Sequence, residues 1–394
     1  LKQLTCVIIG GGHAGIQALK VLQGTFRKKR NGLRVRFVLI DKQPAHVRKV
    51  LLLRPAVGEE NICVPWSQWA ADGTAFVQGT VTSVDGGDKR IRYTDAQGSE
   101  VVLNYDLLVV AVGSVLRKPD PEQGGIALCD LASASDIRDR WRANLMKAAS
   151  ESDPRERKRL MSVAVAGAGI SGIETGAELS HAMRREAPDH GLNPDDVTVW
   201  LLNAQDRLFP EGSARAAHKL EQMLPAIGVR VLHQRKAVRE EAGEVILDND
   251  ERLRAGLCVW MIGLMPSPSL RDMGLPLTED GRVRVDECYR ISGVPGAYSI
   301  GDCAAVYDPA TGASDRMTCK EAGMQAIRLG KIITADLEGR PAPSHQTMMD
   351  FYCIGLGPGH GLMWARKWGL EIIMTGKLAW NMKKIAWEYA SRLR

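Results

Sequence analysis

The residues with the most chemical content in this chain are glycines. Gly10-x-Gly12-x-x-Gly15 closes the apolar run Cys6–Ile9, and Gly167-x-Gly169-x-x-Gly172 closes Val163–Ala166. In both places a strand-like run leads into a helix-like one. Glycines at that spacing let the backbone approach a pyrophosphate at a helix N-terminus, where unpaired N–H groups favour negative charge. One such turn is weak evidence; two in one chain predict two dinucleotide sites with electrons passing between them. Carboxylates stand nearby. Asp41 ends the second strand-like run, where a carboxylate accepts from ribose hydroxyls. Asp302 follows Gly301 behind the apolar run Tyr298–Ile300 and needs a hydroxyl or amide partner, unless it caps the segment after it. Glu174 and Glu178 lie one turn apart on a single helix face, at a helix N-terminus that by itself favours acidic residues.

The elements that must position these groups follow from periodicity. Leu4–Ile9, a helix over about Ala14–Phe26 and Arg34–Ile40 make one β-α-β unit, with the polar stretch Arg27–Gly32 as its loop. Phe76–Val84, Arg90–Tyr93 and Val101–Leu103 alternate and are broken by Asp-Gly-Gly and Gln-Gly, which predicts a small antiparallel meander. Leu107–Val112 returns as a buried strand, and a helix over Ala132–Ala149 leads into a solvated linker, Glu151–Arg159. A second β-α-β unit runs from Ser162 to about Leu202, followed by a hairpin over Ala237–Leu247, a strand over Leu257–Ile262, and a helix from Thr318 to Leu337. The expected fold class is α/β: two Rossmann-like dinucleotide-binding domains, one inserted in the other, with small antiparallel meanders and a C-terminal helical tail. The expected boundaries are 1–117 with 264–340, 118–263, and 341–394.

Composition narrows the function. No run of 18 apolar residues occurs and Leu1–Thr5 leads straight into a strand, so a cytoplasmic protein that crosses no membrane is expected. The eight cysteines show no C-x-x-C spacing, which argues against a zinc site or a local redox dithiol, and no metal is expected. Most of the net charge of +6 sits at the C-terminus, where Gly361–Arg394 holds seven Lys/Arg against two Glu. The body of the chain therefore carries no basic surface for nucleic acid.

Five ordered motifs carry a family resemblance over roughly residues 4–340. They are the Gly10–Gly15 turn with Asp41, LLVVAVGS at Leu107–Ser114, the Gly167–Glu174 turn, VWMIG at Val259–Gly263, and YSIGD at Tyr298–Asp302. Together they resemble the FAD-dependent pyridine nucleotide-disulfide oxidoreductases, in particular the branch of type II NADH dehydrogenases. The resemblance implies FAD along Gly10, Gly12, His13, Ala14 and Gly15, with Asp41 and Lys42 at its ribose and Gly113, Gly301 and Asp302 further along it. It implies NADH or NADPH along Gly167, Gly169, Ile170, Ser171 and Gly172, with Asn203 and Gly263, and it puts Glu174 near the nicotinamide–flavin contact. An NADH-preferring relative would carry Asp or Glu at the position of Asn203. Asn does not repel a 2′-phosphate, and Arg207 follows it, so the donor stays open between NADH and NADPH. Asn-Ala-Gln-Asp is also good turn composition on its own.

The implied activity is hydride transfer from nicotinamide to flavin, then two electrons to a quinone-like acceptor. Disulfide-reducing members carry a cysteine pair in the first helix, and Gly12–Lys20 contains none. His46, in the segment after Asp41, reads as a satisfied loop histidine more readily than a catalyst. At the helix start Met317-Thr318-Cys319-Lys320, Lys320 replaces a glutamine that lines the quinone pocket in the family, while Thr318 and Gln325 match. Lys320 is then either an electrophilic partner of the acceptor or a surface lysine beside Glu321. Competing readings are a sulfide:quinone oxidoreductase using Cys129 and Cys353, a reductase for a protein or biosynthetic partner, and a redox-responsive FAD/NAD-binding protein.

The tail is the remaining oddity. Four of nine tryptophans, Trp364, Trp368, Trp380 and Trp387, fall in it. Over Lys377–Arg394, Leu378, Met382, Ile385, Tyr389 and Leu393 share one helical stripe, with Trp380 and Trp387 opposite. The expectation is that the stripe docks on the protein while tryptophans and lysines meet the inner face of the cell membrane. A homodimer contact or packing on the flavin unit are the alternatives.

Overall fold

The computed structural model describes residues 2–27, 33–68 and 73–391. The predicted Arg27–Gly32 loop, apart from Arg27, and Leu393 fall outside them. The chain opens with β1 (Lys2–Ile9), α1 (His13–Arg27) and β2 (Leu33–Asp41), continues through β3 (Ala75–Asp85), β4 (Arg90–Asp95) and β5 (Glu100–Asn104), and returns with β6 (Leu107–Val110). The second unit holds β7 (Ile126–Ala127), α2 (Leu131–Ser150), β8 (Ser162–Ala166), α3 (Ile170–Glu186), β9 (Thr198–Asn203), β10 (Val229–His233) and β11 (Leu257–Trp260). Then come β12 (Ala297–Ser299), α4 (Cys319–Leu337), β13 (Asp350–Gly355), β14 (Gly361–Lys367), β15 (Leu370–Thr375) and α5 (Lys377–Ser391).

The strands assemble into two principal sheets. The first has the order β12-β6-β1-β2-β3-β4-β5, parallel from β12 to β3 and antiparallel in the meander beyond. The second, β7-β11-β8-β9-β10, is parallel throughout. β1 lies between β2 and β6, and β8 between β9 and β11, so the direction of winding reverses at the carboxyl ends of β1 and β8. Those reversal points are where open α/β sheets leave a crevice, and both glycine turns sit there. Because β12 completes the sheet that β1 begins, the second unit interrupts the first in sequence. The two chain crossings run side by side, with Ser114–Leu116 paired antiparallel to Leu264–Pro266.

Local chemistry explains the elements. The strands at the centre of each sheet, Val7–Ile9 and Ser162–Ala166, are buried on both faces and apolar almost throughout. Asp130 caps α2, its carboxylate accepting from the Ser133 N–H. The expected linker over 151–159 is in fact a short helix, Pro154–Leu160. Asp153 caps it and Pro154 occupies its first turn, where the missing N–H costs nothing.

The tail ends in the expected helix, preceded by strands the sequence did not predict. It is a three-stranded antiparallel sheet, β13-β14-β15, closed by α5. Its orientation is the reverse of the expected one. Trp380 and Trp387 are buried, packed edge to face at 5.4 Å between ring centroids, whereas Leu378 and Ile385 of the aliphatic stripe are 66% and 61% exposed. The tryptophans win the docked side because they meet a cation and a wall. The Arg54 guanidinium lies 4.7 Å over the Trp387 ring, and Trp364, wholly buried, joins the same core as Tyr352, Ile354 and α3. Burying an indole removes about 150–250 Å² from water, roughly 4–6 kcal/mol of transfer free energy before ordering costs. Trp387→Ala should therefore cost about 3 kcal/mol in chemical denaturation and speed proteolysis of α5; unchanged values would contradict this docking.

Candidate active site

Both glycine turns are built alike. Gly10 and Gly167 take φ of +97° and +120°, and a Cβ on either would strike a backbone oxygen, Ala111 O at 2.5 Å and Met261 O at 2.3 Å. The third glycines close helix onto strand: a Cβ on Gly15 would lie 1.8 Å from Gly10 O, and one on Gly172 1.9 Å from Gly167 O. The middle glycines differ, since a Cβ on Gly12 or Gly169 meets nothing within 4 Å. First and third positions thus hold the turn, and the middle one faces open space where another molecule can approach. Gly113 and Gly263, after the returning strands, are also open at positive φ. His13 and Ile170 begin the two helices, and Ser171 and Lys42 are exposed.

Around the first turn the carboxylates are tied down. Asp41 accepts from the Gly11 N–H at 2.6 Å and the Gln43 N–H at 2.7 Å. His46 is buried with Nδ1 2.7 Å from Gly11 O, and burial lowers its pKa, so it is a satisfied loop residue. Gly301, at φ +76°, abuts Ala14: a Cβ there would come within 2.7 Å of the Ala14 Cβ. The Asp302 carboxylate accepts from Ser114 Oγ at 2.5 Å, and burial pushes its pKa up while Ser114, Lys49 and His13 oppose. Lys49 was not found from sequence. Exposed, but close to Asp41 and Asp302, it brings a cation to this crevice, and desolvation lowers its pKa.

Around the second turn the result is different. The Asn203 amide donates toward Gln205 O, Arg207 O and His233 Nδ1, and its Oδ1 accepts from the Gln205 N–H. It is a turn former, and the Arg207 guanidinium is likewise engaged with Pro210 O and Gly212 O. Glu174 is buried and accepts from the Gly355 N–H at 2.8 Å, and Lys383 Nζ of α5 stands 2.5 Å from the same oxygen. Lys383, the second residue missed in the sequence, also donates to Cys353 O. Cys319, the first residue of α4, feels the charges of Asp302, Glu174 and Lys383, which puts the Gly301–Asp302 turn and the Glu174–Lys383 pair in one neighbourhood.

The remaining candidates separate. Lys320 donates to Phe351 O at 3.2 Å and lies 4.6 Å over the Tyr352 ring, so it braces α4 against the tail. Thr318 Oγ1 donates to Glu321, and Gln325 is buried, accepting from the Gly301 N–H and donating to Asp315. Cys129 keeps company with Asp130 and Ser133 at the start of α2, whereas Cys353 sits beside Lys383 on β13, and both thiols are free. The structure does not bring them together as a pair.

The pyridine nucleotide-disulphide oxidoreductase family matches residues 4–326. The chain belongs to this family. A type II NADH:quinone oxidoreductase of Staphylococcus aureus is 24% identical over 395 residues, covering 96% of this chain and 93% of that protein. An internal alternative NAD(P)H-ubiquinone oxidoreductase of Arabidopsis thaliana is 31% identical over 216 residues, spanning 53% of this chain and 42% of that protein. Among solved structures, NDH2 of Plasmodium falciparum with NADH superposes with a TM-score of 0.83 at 16% identity, covering 99% of this chain and 96% of that one. The sulfide:quinone oxidoreductase of Aquifex aeolicus gives 0.77, also at 16% identity, covering 98% and 90%.

Asp302 supplies a test of the crevice. Because its folded pKa is raised, the folded state prefers the protonated form, so stability is lost as pH rises from the ordinary 3.8 through the raised value. Asp302→Asn should raise the melting temperature of cofactor-free protein at about pH 7, with the gain shrinking toward about pH 4. A gain independent of pH would contradict the assigned burial.

Proposed function

We propose that this protein is an FAD-dependent NAD(P)H dehydrogenase that passes two electrons from a nicotinamide to a quinone-like acceptor. The observation that carries the reading is the pair of glycine cradles, each open at its middle glycine, together with the buried Glu174–Lys383 pair near the Gly301–Asp302 turn. FAD fits the first cradle: its pyrophosphate would meet the Gly12 backbone at the start of α1, and Asp41, Lys49 and Asp302 offer polar partners along the crevice. Bound there, FAD would supply the chemistry of accepting a hydride and passing the electrons on, as a pair or singly. The second cradle suits NAD(P)H at Gly169 and the start of α3.

This chain's residues then divide the work. Gly12 and Gly169 admit the phosphates, and Ser114 holds the Asp302 carboxylate in one orientation. Glu174 holds or releases a proton at its carboxyl oxygen, and Lys383 stabilises the charge left behind. Cys319, exposed at the start of α4, has its thiol pKa raised by desolvation. Asn203 rather than a carboxylate ends β9, so nothing at that position repels a 2′-phosphate, and both NADH and NADPH are admitted.

We further propose that the protein works at a membrane surface through the tail. Trp368, Leu370 and Ile372 of the β14–β15 hairpin are 87%, 74% and 56% exposed, and with Leu378 and Ile385 they form an apolar rim among Lys367, Lys377 and Lys384. No helix among the described residues is long and apolar enough to cross a membrane.

Anaerobic titration of the yellow protein, following flavin absorbance, tests this reading. NADH and NADPH should each bleach the flavin near one equivalent, with affinities within about tenfold of each other, since Asn203 at the end of β9 carries no charge to select between them. Absence of bleaching by both would contradict it.

A further inference from the structure

Both ends of the Gln325 amide are committed inside the flavin unit. Its Oε1 accepts from the Gly301 N–H at 2.7 Å and its Nε2 donates to Asp315 Oδ2 at 2.8 Å, with the residue 2% exposed. The other Asp315 oxygen, Oδ1, lies 3.1 Å from His345 Nε2, and His345 Nδ1 lies 2.8 Å from the Tyr289 hydroxyl. Arg328 NH1 closes the chain at its half-buried end, 3.1 Å from the Tyr289 oxygen and 3.0 Å from His345 Nδ1. Gln325, Asp315, His345 and Tyr289 are all buried, although they come from separate stretches of the chain.

The partners fix the direction of every hydrogen bond. An arginine only donates, so His345 Nδ1, which faces Arg328, is the lone-pair nitrogen and accepts from the Tyr289 O–H as well. Burial pushes the Tyr289 pKa up to about 12, which keeps that proton on the phenol. The imidazole is then neutral, carries its hydrogen on Nε2 and donates it to Asp315. Donors thus converge on the Asp315 carboxylate from both sides, and the Gln325 amide cannot turn over. Reversed, its NH2 would face the Gly301 N–H and its oxygen would face the carboxylate. Tyr289 is itself held at φ +62°, rare for a bulky side chain, and strained backbone of this kind clusters at functional sites. At the inner end, Gly301 is held at both of its backbone groups, since its carbonyl accepts from the Ala304 N–H at 2.9 Å while its N–H meets Gln325.

We propose that Asp315, braced by His345 and Tyr289, is the positioning residue of the Gly301–Asp302 turn, fixing through Gln325 the direction in which Asp302 presents its carboxylate to the flavin crevice. The inference rests on the proposed FAD reading and deepens it. All four side chains act through the turn rather than on the cofactor. Ser114 holds the Asp302 carboxylate from the other side, so the turn is fixed from the first sheet and from α4 at once. Asp315→Asn would set an NH2 group against one of two donors. Relief requires His345 to change tautomer, which strands the Tyr289 hydroxyl, or Gln325 to turn over, which strands the Gly301 N–H.

The experiment uses the full-length flavoprotein as purified. Nitrogen NMR of histidine-labelled wild-type protein at about pH 7 should show His345, identified by the signal that His345→Gln removes, as the neutral tautomer protonated at Nε2. Asp315→Asn should speed FAD release, followed by flavin fluorescence after dilution, about tenfold or more. It should also raise the midpoint potential of the bound flavin, because losing a buried negative charge favours the electron-rich reduced form. His345→Gln, whose amide can still donate to Asp315 and accept from Tyr289, should stay within about twofold of the wild-type release rate. His345→Leu, similar in bulk but without a donor, should release FAD as fast as Asp315→Asn does. A cationic or Nδ1-protonated His345 in the wild type overturns the chain, whether or not any variant folds. An unchanged release rate and potential in Asp315→Asn overturn the positioning role, as do equal losses from His345→Gln and His345→Leu. Wild-type protein that never carries FAD overturns the flavin reading, and this inference with it.

Discussion

A carboxylate buried near the start of a helix has to find charge or hydrogen-bond donors, and Glu174 finds them in a part of the chain folded from far downstream. Its partners, the Gly355 N–H and Lys383, both belong to the tail. Ion pairs this enclosed, 8% and 11% exposed, contribute little net stability because desolvating both ions offsets their attraction. Removing one partner is costly, however, since it strands the other. The pair therefore fixes where the tail must sit, and the docking energy comes from Trp364, Trp380 and Trp387 around it. Tail and second unit are thus joined through Glu174.

That arrangement separates two tasks. The glycine cradles lie at the two points where strand order reverses, as sheet topology alone requires. They are set by backbone, with first and third glycines excluded from substitution by contacts near 2 Å. The proposed acceptor side draws on side chains from α3, α5 and the tail sheet, where desolvation raises the Cys353 pKa.

What sequence could reveal follows the same division. The cradles, Asp302 and the interrupted first sheet were legible because turns, buried runs and their order are local signals. Lys383, Lys49 and Arg54 were not, because a cation's partner across the fold leaves no mark in spacing. Asn203 was placed at its strand end, yet only coordinates reveal that its amide is consumed by the turn it starts. The tail helix displayed two apolar faces, and periodicity cannot say which one docks. The indoles took the inner side through Arg54 and the Tyr352–Trp364 wall, leaving the aliphatic stripe outside. The short helix over 154–160 was missed because its charged sequence carries no apolar period, although Asp153-Pro154 is a start signal.

The central claim is that the tail completes the acceptor side and leaves the nicotinamide side alone. Rapid mixing of Lys383→Met protein tests it most directly, because flavin reduction by NADH and flavin reoxidation by a quinone are observed as separate phases. The account predicts reduction at the wild-type rate and reoxidation slowed about tenfold or more. Slowed reduction with normal reoxidation would contradict it, placing Lys383 and Glu174 on the side of the electron donor.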